Sequence, residues 1–132
     1  MAIALVGLAL ALAACGGEQA AGPTPSASGA GTPPAGAPLV TFVELGSDNC
    51  IPCREMRPVM DAITRDYAPD VVVVFYDVYE RGDMAERYGV RVIPTQVFLD
   101  ESGKEFYRHE GFLPREAIEE LLAERGIAKA GT

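Results

Sequence analysis

Apolar positions along this chain switch between two periods, and the switches mark its elements. Leu39-Val40-Thr41-Phe42-Val43-Glu44-Leu45 is strand-like. Met56, Val59, Met60, Ile63 and Tyr67 then recur at the i, i+3, i+4 spacing of one buried helical face. Residues 46–49 form the turn between them, with Ser47, Asp48 and Asn49 as candidate helix caps. Val71-Val72-Val73-Val74-Phe75-Tyr76 is continuous and mostly β-branched, the signature of a strand buried on both faces of a sheet. A short helix is predicted over residues 83–88 and ends at Gly89. The next strand is Thr95-Gln96-Val97-Phe98-Leu99. A turn at residues 100–103 leads into residues 104–109, which pair back as a hairpin. The last helix starts at Pro114, carries Ile118, Leu121 and Leu122 on one face and stops at Gly126. The order is β-α-β-α-β-β-α. Strands alternating with helices predict an α/β fold with a parallel layer, to which the hairpin adds an antiparallel edge.

Composition changes this picture at the N-terminus. A length of 132 residues allows one domain, but not all of it can fold. Residues 1–14 are small or apolar and uncharged. The run falls short of the roughly 20 residues that span a bilayer and fits the apolar region of a secretory signal. It closes in Leu12-Ala13-Ala14-Cys15-Gly16, which resembles a bacterial lipoprotein signal and implies cleavage before Cys15 and lipidation of its thiol. No Lys or Arg precedes residue 54, so the usual basic segment is missing and a start further upstream is expected. Apart from Glu18 and Gln19, residues 16–38 are only Gly, Ala, Pro, Ser and Thr. Nothing in that stretch can anchor a core, so a disordered tether with a reach of about 25–30 Å is expected. The folded part is then residues 39–127, with a flexible tail at 128–132.

Charge excludes some partners. A formal net charge of −8 argues against nucleic-acid binding and against adsorption to anionic lipid. Any membrane attachment is therefore expected through the lipid on Cys15, with the domain exported and facing the periplasm or the cell exterior.

The candidate chemistry lies at Cys50-Ile51-Pro52-Cys53, where the first strand gives way to the first helix. Cys50 at a helix start meets unpaired N–H groups and the positive end of the macrodipole, both of which favour a thiolate. Cys53, one turn on, is close enough for the two sulfurs to bond, the geometry of a reversible disulfide. The alternative is zinc, which needs four ligands. Beyond this pair only Cys15 and His109 are on offer. His109 reads as a solvent-facing strand residue, and Arg54 and Arg57 read as solvated charges close to the sulfurs.

These features together resemble the thioredoxin family from residue 39 to about residue 126. The resemblance is carried by Cys50-Ile51-Pro52-Cys53 at a helix start, Pro58 inside that helix, and Tyr88-Gly89-Val90-Arg91-Val92-Ile93-Pro94-Thr95 before the third strand. Gly103 in the hairpin turn and Gly111 after the fourth strand also fit. The resemblance implies a minimal thioredoxin fold with a central four-stranded mixed sheet flanked by helices. It also implies a kink at Pro58 and a cis bond before Pro94, beside the disulfide. Ile51, Pro52, Ile93, Pro94 and Thr95 would line the substrate surface. The implied activity is thiol–disulfide exchange by Cys50 and Cys53, with no cofactor beyond that redox-active disulfide. Glu44 stands at the family's buried acid, and Phe75 occupies the position of its companion Lys, so an uncompensated carboxyl with a raised pKa is expected there. Glu44 would accept and return the Cys53 proton.

Two departures matter. Asn49 replaces the family's Trp before the first cysteine, and the first strand and helix of the full fold have no counterpart. Similar short exported thioredoxins receive electrons from a transmembrane donor and reduce disulfide-containing proteins such as apocytochromes c. That implies a monomeric reductase. A disulfide-forming oxidant, a metal carrier holding Cu or Zn, and a non-catalytic binding module are the alternatives.

Overall fold

The computed structural model describes residues 36–131. The signal-like run, Cys15 and the tether up to residue 35 lie outside them. Among the described residues no helix is long and apolar enough to cross a membrane.

The element order is β1 (Val40–Gly46), α1 (Ile51–Tyr67), β2 (Val71–Asp77), α2 (Gly82–Arg87), β3 (Thr95–Asp100), β4 (Glu105–Glu110) and α3 (Arg115–Glu124). This is the order the periodicity predicts. The four strands form one mixed sheet in the order β2-β1-β3-β4. β1 is central, and all but Thr41 of its residues are buried. Its faces serve two cores. Val40 and Phe42 join Met56, Met60, Ile63 and Tyr67 of α1 and Ile118 and Leu122 of α3. Val43 and Leu45 join Val97, with Met84 and Tyr88 of the α2 region packed against them. Phe42 and Phe98 stack across the sheet at 4.6 Å between ring centroids.

The expected parallel layer shrinks to one pair. β2 runs parallel to β1, but β3 runs antiparallel to it. The cause is the length of α2. Six residues of helix rise only about 9 Å, whereas a seven-residue strand spans about 23 Å. The chain therefore never returns to the starting edge, and β3 sets off back down the sheet from the end where β2 finished.

β2 also corrects the reading of a strand buried on both faces. It is an edge strand in which only Val71 is buried, and Val72 is 41% exposed. A run of β-branched residues fits any pleated surface.

The hairpin is fastened by Asp100, whose Oδ1 accepts from Ser102 N (2.9 Å), Ser102 Oγ (2.6 Å) and Lys104 N (3.0 Å). Gly103 supplies the positive φ of 78° that the turn demands. The C-terminal residues expected as a flexible tail are tied down: Ala130 N donates to Asp66 O at 2.8 Å, and Lys129 Nζ pairs with Glu119 at 3.0 Å.

Candidate active site

α1 begins where the apolar strand β1 reaches its last residue. None of Ser47, Asp48 or Asn49 caps it. Cys50 is the N-cap itself, with extended φ −98° and ψ 122°, and its Sγ accepts from Cys53 N at 3.4 Å. A sulfur can take the capping place because no nearer side-chain oxygen is aimed at the helix; the Ser47 hydroxyl is occupied by Asn49 N at 3.3 Å. Pro52 in the first turn loses no bond there, since that N–H would have no partner inside the helix. Pro58 sits inside α1, which continues through it to Tyr67. The missing N–H falls on an exposed stretch of helix, between exposed Arg57 and half-buried Val59.

Cys50 and Cys53 are joined in a disulfide with their Cα atoms 5.2 Å apart. The two sulfurs differ in access: Cys50 is half-buried, whereas Cys53 is only 2% exposed. What holds Cys53 down is Gly46, the last residue of β1. A Cβ built there would lie 3.2 Å from both Cβ and Sγ of Cys53 and 3.4 Å from the Phe75 ring. The absent side chain lets α1 sit on the sheet.

The Ile93–Pro94 bond is cis, as the resemblance implies. Ile93 O lies 4.0 Å from Cys50 Sγ, so the prolyl turn and the disulfide are neighbours. Thr95, expected on the substrate surface, is fully buried, and its hydroxyl donates to Val92 O at 2.6 Å. It braces the turn from inside. Pro94 is buried too, while Ile93 is half-buried. Gly111, with φ 98°, donates its N–H to Pro94 O at 2.8 Å and draws the chain after β4 against the same turn. Ile51, Val92 and Phe112 are 64%, 50% and 42% exposed, and with exposed Pro52 they leave apolar surface around the disulfide.

Glu44 is wholly buried. It lies two residues before Gly46, on the face of β1 that looks towards α1. Burial in apolar surroundings pushes its carboxyl up from 4.5 to about 8, and a hydrogen bond from Gln96 offsets only part of this. Phe75 is its partner on β2, so the neighbouring strand offers no cation at that position. Gln96, its partner on β3, is also fully buried and donates from Nε2 to Glu44 Oε1 at 3.4 Å. Sequence reasoning missed Gln96. Its one visible signal was a lone amide in an apolar strand.

Arg54 and Arg57 are not free charges. Arg54 Nη1 donates to Asp48 O at 3.3 Å. Arg57 forms an ion pair with the Asp48 carboxylate and lies over the Phe75 ring at 5.2 Å. Both guanidinium groups are directed to the β1–α1 loop. That loop is tied to the end of β2 through Asp77, whose Oδ2 accepts from Asp48 N at 3.3 Å. His109 is half-buried, with its Nε2 3.2 Å from Phe112 O. Among the described residues no three His, Cys, Asp or Glu side chains gather as a metal site.

The family model of a thioredoxin-like domain matches residues 31–126. Thioredoxin of Bacillus subtilis is 34% identical over 83 residues, which cover 63% of this chain and 79% of that protein. Thioredoxin of Porphyra purpurea is 32% identical over 84 residues, covering 64% and 78%. A solved mutant thioredoxin from Halobacterium salinarum superposes with a TM-score of 0.61 at 27% identity, over 68% of this chain and 77% of that one.

Proposed function

Because this chain belongs to the thioredoxin family and is a thiol–disulfide oxidoreductase, we propose that it reduces protein disulfides outside the cytoplasm, tethered to a bacterial membrane by lipid on Cys15. In this reading residues 1–14 are a signal that is removed and residues 15–38 are the tether. Residues 39–127 carry the chemistry. Disulfide-containing proteins, apocytochromes c among them, are its electron acceptors, and a transmembrane protein is its donor.

The observation that supports the direction is that the outer sulfur has the helix start to stabilise it but no cation of its own. Among the described residues the one N–H that Cys50 Sγ accepts is that of Cys53, at a long 3.4 Å. The two guanidinium groups nearby are engaged with Asp48. A weakly stabilised thiolate leaves a dithiol reducing, whereas strong stabilisation makes it oxidising.

The steps balance as follows. Cys50 thiolate attacks one sulfur of the target disulfide, the target S–S bond breaks, and the departing thiolate takes a proton from water. Cys53 gives its proton to the Glu44 carboxylate and attacks Cys50 Sγ. The intramolecular disulfide closes and the second target thiolate leaves. Two electrons have passed from the dithiol to the target. Ile51, Pro52, Val92 and Phe112 supply apolar contact to the target chain, and the Ile93 backbone beside cis-Pro94 pairs with it.

Reduction of insulin by dithiothreitol, with and without the protein, tests the activity. Cys50→Ser is expected to abolish catalysis, and Cys53→Ser to accumulate mixed disulfides with targets. Acid trapping and alkylation in cells tests the direction. A pair stored mostly as dithiol supports the reductase, and a pair stored as disulfide makes the protein an oxidant.

A further inference from the structure

Resting on that reading of Glu44, we propose that Gln96 is a positioning residue of the redox site. Its amide forms a cyclic pair with the acid form of Glu44, holding the proton on Glu44 Oε2 while the Cys50–Cys53 bond is closed. The geometry begins with register. Phe75, Glu44, Gln96 and His109 form one row across the sheet, on the face that looks towards α1. Glu44 and Gln96 are its two fully buried members. Gln96 Nε2 already donates to Glu44 Oε1.

Among the described residues, Glu44 Oε2 and Gln96 Oε1 are the buried side-chain polar atoms left without a partner. An ionised carboxylate only accepts, and so does an amide oxygen. With Glu44 charged, both atoms therefore stay unsatisfied in the core, which native structures avoid. One proton on Oε2 satisfies both at once, because the acid O–H then donates to the amide oxygen. Small rotations about the soft terminal torsions of Glu and Gln suffice to close the ring.

Among the described residues, the groups facing this pair are otherwise engaged. Phe75 on β2 is apolar. Arg57 of α1, stacked over the Phe75 ring, is paired with Asp48. His109 on β4 meets Phe112 O. Asp77, paired with Gly46 one row group further along, accepts from Asp48 N and Tyr79 N. Cys53 of α1 is bonded to Cys50.

When an incoming thiolate attacks Cys50 Sγ, a new S–S bond forms and the old one breaks, its electron pair going to Cys53 Sγ. That sulfur takes the proton from Glu44 Oε2. Glu44 becomes a carboxylate and keeps the Gln96 N–H, now as a stronger charge-assisted bond. Gln96 thus serves both protonation states.

Infrared difference spectra of the oxidised full-length protein, wild type minus Glu44→Gln, test the pair. The expected result at pH 6 is a protonated-carboxyl C=O band that titrates away with a midpoint of about 8. In Gln96→Leu the band moves to higher frequency. Its midpoint rises by about one pH unit, because the charge-assisted bond lost by the carboxylate outweighs the neutral bond lost by the acid. Gln96→Met, closer in volume, repeats the measurement should the leucine variant fold poorly. A wild type without the band at pH 6, or a band of unchanged frequency and midpoint in the Gln96 variants, overturns the pair. Insulin reduction read alongside keeps the two ideas apart. Activity surviving Cys50→Ser sinks the redox reading and leaves the infrared result standing, whereas an unmoved band beside normal Cys50-dependent catalysis sinks only the role of Gln96.

Discussion

Glu44 holds its proton more tightly in the folded chain than in the unfolded one, since burial moves its carboxyl from 4.5 to about 8. Below pH 4.5 both states are protonated and the group is neutral to stability. Between pH 4.5 and about 8 only the folded state keeps the proton, so stability falls as pH rises, and above about 8 the loss is complete. Glu44→Gln removes this slope. Urea denaturation at pH 5 and pH 9 should show the variant close to wild type at the lower pH and more stable than it by a few kcal/mol at the higher. An unchanged difference across that interval counts against a buried neutral acid. The acid itself was legible, because the resemblance assigns it and Phe75 replaces its cation. Its amide partner was not. Alternation along one strand says which residues share a face, but only the pairing of β1 with β3 sets Gln96 against Glu44, and register is a tertiary property.

At the level of elements, the junction of β1 with α1 leaves no room for a side chain at Gly46. Cys53 Sγ lies 3.2 Å from where a Gly46 side chain would begin. Gly46→Val forces that joint apart or pushes on the Phe75 ring, and overpacking of this kind costs about 1–3 kcal/mol. The urea midpoint should fall accordingly at unchanged slope, and the insulin-reduction rate should fall with it as Cys53 shifts. Strand and helix existence came through in the sequence because both periods are strong. Direction did not. A buried-looking run at residues 71–76 turned out to be an edge, and the expected parallel layer failed on the shortness of α2. Cap chemistry was misread for a related reason: Ser47 spends its hydroxyl on Asn49, leaving the sulfur of Cys50 at the helix start.

Across the whole molecule, both ends of the described chain are held: Leu39 N and Val40 N donate to Asp70 O at 2.8 and 3.0 Å at the start. The last residues form a clasp: Ile127 is buried against α1 and α3, and Ala130 is hydrogen-bonded to Asp66 at the end of α1. Arg115 closes the same region by reaching Asp66 at 2.7 Å and Glu119 at 2.5 Å. Ending the chain after Gly126 removes Ile127 and the Ala130 bond together. The expected loss is about 2–4 kcal/mol, from burial of one large aliphatic side chain and one net hydrogen bond, read as a lower urea midpoint. Composition did not reveal this, since small residues at a terminus look alike whether loose or docked.

The bare Cα of Gly46 has a last consequence. With the inner sulfur wedged against the sheet, opening the S–S bond gives it nowhere to retreat, so rearrangement is confined to the outward rim of Cys50, Ile51 and Ile93. Apart from the proton that Glu44 gives up or regains, the body of the domain then changes little with its electron count. Whatever donates to this protein or takes from it distinguishes the loaded from the spent form by touch, over a few residues of rim.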